Sequence, residues 1–131
     1  MCVTGSRKFK NLKLVDEYLY NELYLHHKFA LGTPLEFSIL TGGAVGVDQR
    51  AMDWCTDNQI QVRTIYPLNM ADKMSYLFRN IELVTLADEV VAFWDGESKG
   101  TKFTFEYAAS RGKRVYIQYE DGELETYSIG V

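Results

Sequence analysis

The run Phe37-Ser38-Ile39-Leu40 stops at Thr41-Gly42-Gly43, and a helical pattern follows with Val47, Ala51, Trp54 and Cys55 at helix spacing. A short apolar strand that feeds a helix through glycines leaves few folds open. It also aims the unpaired N–H groups and positive dipole end of a helix at one point, the arrangement that holds an anion. The expectation is a phosphate at this turn.

The same alternation continues along the chain. Met1 to Thr4 is an apolar start that runs into Gly5-Ser6-Arg7, and a helix is predicted from about Leu12 to Lys28 with Leu12, Val15, Leu19 and Leu23 on one stripe. The glycine turn opens a helix to about Asn58, and Val62 to Tyr66 reads as a third strand closed by Pro67. A helix through Leu77, Phe78, Ile81 and Val84 leads to the near-continuous apolar strand Glu89 to Trp94. The polar turn Asp95 to Thr101 opens a helix to about Arg111, and Arg114 to Tyr119 is the last core strand. Asp121-Gly122 reads as a two-residue hairpin turn, so Glu123 to Ile129 folds back as an antiparallel edge strand.

Strands that alternate with helices and are apolar throughout predict a mainly parallel, five-stranded sheet covered on both faces. Right-handed crossovers then bring the strand-to-helix turns to one edge, where ligands bind in open α/β sheets. Three turns meet there: Gly5-Ser6-Arg7, Thr41 to Asp48, and Asp95 to Thr101. At 131 residues, with no repeat or linker, the chain is a single domain.

Each turn carries chemistry. Gly42, Gly43 and Gly46 let the backbone approach a phosphate, or simply build a tight turn. Asp48 either favours the helix dipole or contacts the ligand. Ser6 and Arg7 supply a hydroxyl and a bidentate guanidinium. Gly96 to Lys102 is not a P-loop, because the loop is too short and the order is Gly-Thr-Lys. It still offers Ser98, Gly100 and Thr101 at a helix start. Asp95 suits a ribose hydroxyl, and Trp94 suits either a base face or the core.

Composition weighs against other classes. A net charge of −4 argues against a nucleic-acid partner, whose affinity rests on neutralised phosphates. Cys2 and Cys55 are too few and too distant for a disulfide framework or zinc site, and His26-His27 sits on an exposed helix. No nucleophilic triad, metal or cofactor is expected. No stretch reads as a signal peptide or approaches the roughly 20 apolar residues of a membrane span, so no membrane partner is expected and a reducing cytoplasm is.

Together these residues resemble the SLOG superfamily, the Rossmann-like fold of DNA-processing protein A and the LOG-type phosphoribohydrolases, and within it the small stand-alone YspA/YpsA-related branch. The resemblance rests on Gly5-Ser6-Arg7 with Phe9; Thr41 to Asp48 with Ala51 and Trp54; Arg79-Asn80; and Trp94-Asp95-Gly96 with Ser98, Gly100-Thr101 and Ala108. It implies a Rossmann-like three-layer sandwich and a homodimer or larger homo-oligomer. It also implies a nucleotide or ADP-ribose-derived ligand across the glycine turn and the Gly100-Thr101 turn, held by a sensor, carrier or sequestering sponge. Arg79 resembles the arginine that LOG-type enzymes place at the ribose phosphate.

Their catalytic glutamate has no counterpart, because Phe103 and Thr104 stand at its position. Glu106 is the nearest carboxylate, about 140° round the helix from Thr101. Ligand binding is therefore expected ahead of the alternative, a nucleoside-monophosphate N-glycosidase using Arg79 and Glu106. Single-stranded DNA binding is a minor third reading.

Overall fold

Neighbouring side chains on a strand point to opposite faces of the sheet, and this chain fills both with apolar groups. In the computed structural model, which describes residues 1–29 and 37–129, the strands are β1 (Cys2–Gly5), β2 (Ser38–Thr41), β3 (Gln61–Thr64), β4 (Glu89–Trp94), β5 (Arg114–Tyr119) and β6 (Leu124–Tyr127). Val3, Ile39, Val91 and Phe93 face one side, and Cys2, Val90, Ala92, Val115 and Ile117 face the other. The helices α1 (Lys13–Phe29) and α2 (Val47–Asp57) cover the first side, while α3 (Lys73–Leu86) and α4 (Lys99–Ser110) cover the second. The result is the expected three-layer sandwich.

The sheet has six strands in the order β3-β2-β1-β4-β5-β6. The first five are parallel and β6 is antiparallel to β5. The chain leaves β1 toward β2 on one side and later crosses to β4 on the other. Strand order therefore reverses between β1 and β4, whose register pairs Gly5 with Phe93. A crevice opens at such a switch point, beyond the carboxyl ends of the strands.

The two faces are anchored differently. Phe93 is fully buried, with edge-on Phe9 and Tyr18 rings at 5.7 and 5.9 Å. Burying a side chain of this size is worth about 1.5–3 kcal/mol. On the α1 stripe, Val15 and Leu19 are completely buried. Opposite, Phe105 of α4 stands edge-on to Trp94 and Tyr127 at 5.1 and 5.0 Å, which ties the C-terminal strand to the core.

Most boundaries shift by a residue or two from those predicted, and three of the differences have a visible cause. α1 starts at Lys13, one residue beyond Leu12, whose amide instead closes a turn onto the Lys10 carbonyl. β3 runs Gln61–Thr64 and not to Tyr66, whose ring turns aside against Gly43. The β5–β6 connection is four residues long, Glu120 to Glu123. A two-residue turn of the mirror-image kind needs positive φ at both central positions, and Gly122 has it (φ 94) but Asp121 does not.

Candidate functional site

At the switch point lies a cavity of about 490 Å³. Thr4, Gly5, Arg7 and Lys8 come to its wall from the end of β1; Gly42, Ala44 and Asp48 from the glycine turn; Asp95, Glu97, Ser98, Gly100 and Thr101 from the turn after β4; and Tyr76, Arg79, Asn80 and Leu83 from α3. The three turns expected to converge do so. The fourth contributor, α3, lies across their open side.

The turn into α4 is built by short polar side chains. Asp95 Oδ1 accepts the amides of Glu97 (2.9 Å) and Ser98 (2.8 Å), which folds the chain back at the strand end. Ser98 caps α4, its Oγ accepting the Thr101 N–H at 3.4 Å. Ser6 locks this turn to β1. Its hydroxyl lies 3.2 Å from Asp95 Oδ1 and 3.4 Å from Thr101 Oγ1, and it accepts the Asp95 N–H at 3.3 Å. Burial works against ionisation of Asp95, but these donors outweigh it and hold its carboxyl below the ordinary value. The amides of Lys99 and Gly100 have no acceptor among the described residues, and a Cβ on Gly100 would meet nothing within 4 Å. The positive end of α4 is open beside the cavity.

The glycine turn is differently committed. α2 has no side-chain cap, and the Ala44 amide donates to Asp48 Oδ2 at 3.2 Å. A carboxylate of the protein thus takes the anion seat that the sequence assigns to a ligand phosphate. The other oxygen, Oδ1, has no partner, and Asp48 is only 5% exposed. Burial is the largest influence on it, opposed by the Ala44 amide, Arg79, the Gly42 amide and Arg7, and it pushes the carboxyl up from 3.8 to about 6.

Glycine is required in this turn for packing. A Cβ on Gly42 would run into the Arg79 guanidinium, and one on Gly43 (φ 72) into the Tyr66 ring.

Arg79 closes the site. Its Nη1 donates to the Gly42 carbonyl and its Nε to Asn80 Oδ1 at 2.8 Å. Burial pulls its pKa down, and Asp48 foremost resists. Its guanidinium lies 5.5 Å from the centre of the Tyr76 ring, and that of Arg7 lies 5.7 Å away. Both distances are within cation–π range. Arg7, Lys8 and Arg79 face Asp48, Asp95 and Glu97 around one wall, a pairing of cations and acceptors suited to an anion that also carries hydrogen-bond donors.

Of the predicted residues, Gly5, Arg7, Gly42, Asp48, Arg79, Asn80, Asp95, Ser98, Gly100 and Thr101 form the wall. Ser6, Thr41, Gly43 and Gly46 lie behind it. Ser6 is buried in the network above, Thr41 is fully buried with its Oγ1 unpartnered, and Gly46 (φ 91) packs on the Arg7 backbone. Trp94 is half-buried against the core; its ring packs on Phe105 and its Nε1 donates to the Ser98 carbonyl at 3.0 Å. Glu106 is outside the cavity, its side chain 44% exposed and 3.7 Å from Lys102.

Sequence reading missed Thr4, Lys8, Ala44, Tyr76, Leu83 and Glu97. Ala44 and Glu97 lie inside recognised turns and Lys8 adjoins one, so proximity alone would have found them. Tyr76, one helical turn before Arg79-Asn80 and on their face, was legible only once that pair was taken as a site.

Among the described residues no group of three or more His, Cys, Asp or Glu is placed to hold a metal, and no helix is long and apolar enough to cross a membrane. Comparison of the chain with protein-family models, curated proteins and solved structures finds no match.

Proposed function

We propose that this protein binds a nucleotide or ADP-ribose-derived ligand in the switch-point cavity, as a sensor, carrier or sequestering sponge of a nucleotide signal. The observation that carries the reading is the joint presence, on one wall, of the open Gly100 amide at the positive end of α4 and the guanidinium groups of Arg7 and Arg79. Helix amides and arginines are complementary to phosphate oxygens in both charge and geometry. A cavity of about 490 Å³ suits a ligand of nucleotide size. The phosphate sits at the α4 turn and not at the glycine turn, where Asp48 already holds the Ala44 amide. Membership of the SLOG superfamily is part of the proposal, supported by the placement on this wall of about half of the residues that carry the resemblance.

Binding is favoured over N-glycoside hydrolysis through Glu106, because that side chain is solvated and paired with Lys102 away from the cavity. A homo-oligomer is proposed with it, supported by the exposed Leu68, Met70, Met74 and Phe78; light scattering on the purified protein checks this.

The test is thermal shift and calorimetry with AMP, ADP, ADP-ribose, NAD and cyclic ADP-ribose isomers, with chromatography of each bound mixture. Arg7→Ala is the informative variant, because Arg7 is exposed and its loss leaves the core intact. Tight binding of an intact compound, weakened in the variant, supports the reading. Released base makes the protein a hydrolase, and binding of none of these compounds overturns the reading.

A further inference from the structure

Asp48 does more than close the glycine turn. It lines the cavity, it is only 5% exposed, and its buried Oδ1 is left without a hydrogen-bond partner. A buried carboxylate oxygen without a donor is costly, because nothing replaces the water it lost. Its surroundings do not supply one: the Gly42 amide favours the ionised carboxyl but makes no hydrogen bond to Oδ1. Arg79, from α3, gives its Nη1 to the Gly42 carbonyl and its Nε to Asn80; Arg7, after β1, lies over Tyr76; and Cys2, from β1, is a buried thiol. Asp95, the other carboxylate of the wall beside Glu97, is unlike it, since its Oδ1 already accepts the Glu97 and Ser98 amides and adjoins the Ser6 hydroxyl.

Resting on the nucleotide reading, we infer that Asp48 is the subsite that reads a hydroxyl of the ligand's sugar, so that the cavity selects sugar phosphates over phosphate esters lacking hydroxyls. The juxtaposition supports that class. Arg79 and Asp48 grip the same short turn, at the Gly42 carbonyl and the Ala44 amide respectively. A cation and an unsatisfied acceptor therefore line the same cavity, the two kinds of partner that the phosphate and the hydroxyl of a phosphorylated sugar require. With its carboxyl pushed up only to about 6, Asp48 is mostly ionised at neutral pH and accepts from a hydroxyl as a charged acceptor.

Calorimetry at neutral pH with ribose phosphate, deoxyribose phosphate and tetrahydrofurfuryl phosphate, which keeps the ring and loses the hydroxyls, tests this. For the wild type, ribose phosphate is expected to bind about ten-fold or more tighter than tetrahydrofurfuryl phosphate, the worth of a hydrogen bond to a charged group. In Asp48→Ala the two affinities converge to within about two-fold. Asp48→Asn preserves the shape and an acceptor for the Ala44 amide, so it keeps the test open if the alanine variant fails to fold; the gap narrows there too, because an uncharged NH₂ donor replaces the charged acceptor at the Oδ1 position. A gap that is absent in the wild type, or unchanged in both variants, overturns the inference while leaving phosphate binding intact. No binding of any of the three phosphates, nor of the nucleotide panel, overturns the nucleotide reading itself, and the inference with it.

Discussion

Replacing Asp48 by asparagine tests the electrostatics of the site without any ligand. In the folded protein the carboxyl titrates near 6, against an ordinary value of 3.8. The folded state thus keeps its proton at pH values where the unfolded chain has lost it. Stability contributed by the neutral acid is full below about pH 4 and is lost as pH rises through about 6. At 1.36 kcal/mol per pH unit that gap is worth about 3 kcal/mol, and Asp48 is buried enough that solvent screening does not erode it. Asparagine never ionises, so it escapes this loss.

It keeps an acceptor for the Ala44 amide but places an NH₂ group where Oδ1 had no partner, a cost of about 1 kcal/mol. The variant should therefore be more stable than wild type at neutral pH by about 1–2 kcal/mol, or several degrees in Tm. That advantage should shrink to nothing, or reverse, near pH 4. Denaturant unfolding of both proteins across this range reads the difference directly, and titrations elsewhere in the chain cancel in it. An asparagine variant that is less stable at neutral pH by a pH-independent margin would refute the argument. It would mean that Arg79, Arg7 and the turn amides stabilise the ionised form more than burial penalises it. A carboxylate kept at a cost in stability is what a ligand-binding role predicts.

Further outcomes follow from the same geometry. Gly43→Ala should cost about 2–4 kcal/mol, because its φ is positive and the new methyl meets the Tyr66 ring; urea denaturation measures it. Gly100→Ala should leave the fold as stable or raise it by up to about 1 kcal/mol, yet weaken ligand binding because Gly100 lines the cavity. A matched loss of both, by melting and calorimetry, would show that the turn is only structural. Ser6→Ala should cost about 1 kcal/mol, since the half-buried Asp95 amide loses its acceptor, and denaturant midpoints read it. Glu106→Ala should change stability by less than about 0.5 kcal/mol and leave ligand affinity unaltered; a large drop in either would return Glu106 to the site.

The fold was largely legible because its determinants are local. Val90, Val91, Ala92 and Phe93 alternate between two sheet faces, the α1 stripe repeats at helix spacing, and Ser98 supplies its own cap. Such patterns involve residues a few positions apart, and the handedness of crossovers turns them into a topology. That topology places the ends of β1, β2 and β4 at one crevice without any knowledge of side-chain contacts.

What the crevice presents was decided by packing between distant segments. The Gly42 turn meets Arg79 across 37 positions of sequence, and Ser6 meets Asp95 across 89. No periodicity records either meeting. The rotation of α4 leaves Glu106 in solvent beside Lys102 and turns Trp94 into a core contact, although both residues are chemically suited to a ligand. Most consequential is Asp48. As sequence it is an acidic residue in the first turn of a helix, and only burial against Arg79 and the Ala44 amide makes it an acceptor with one oxygen unsatisfied. Desolvation is a property of everything packed around a group, so it belongs to the tertiary structure and not to the residue.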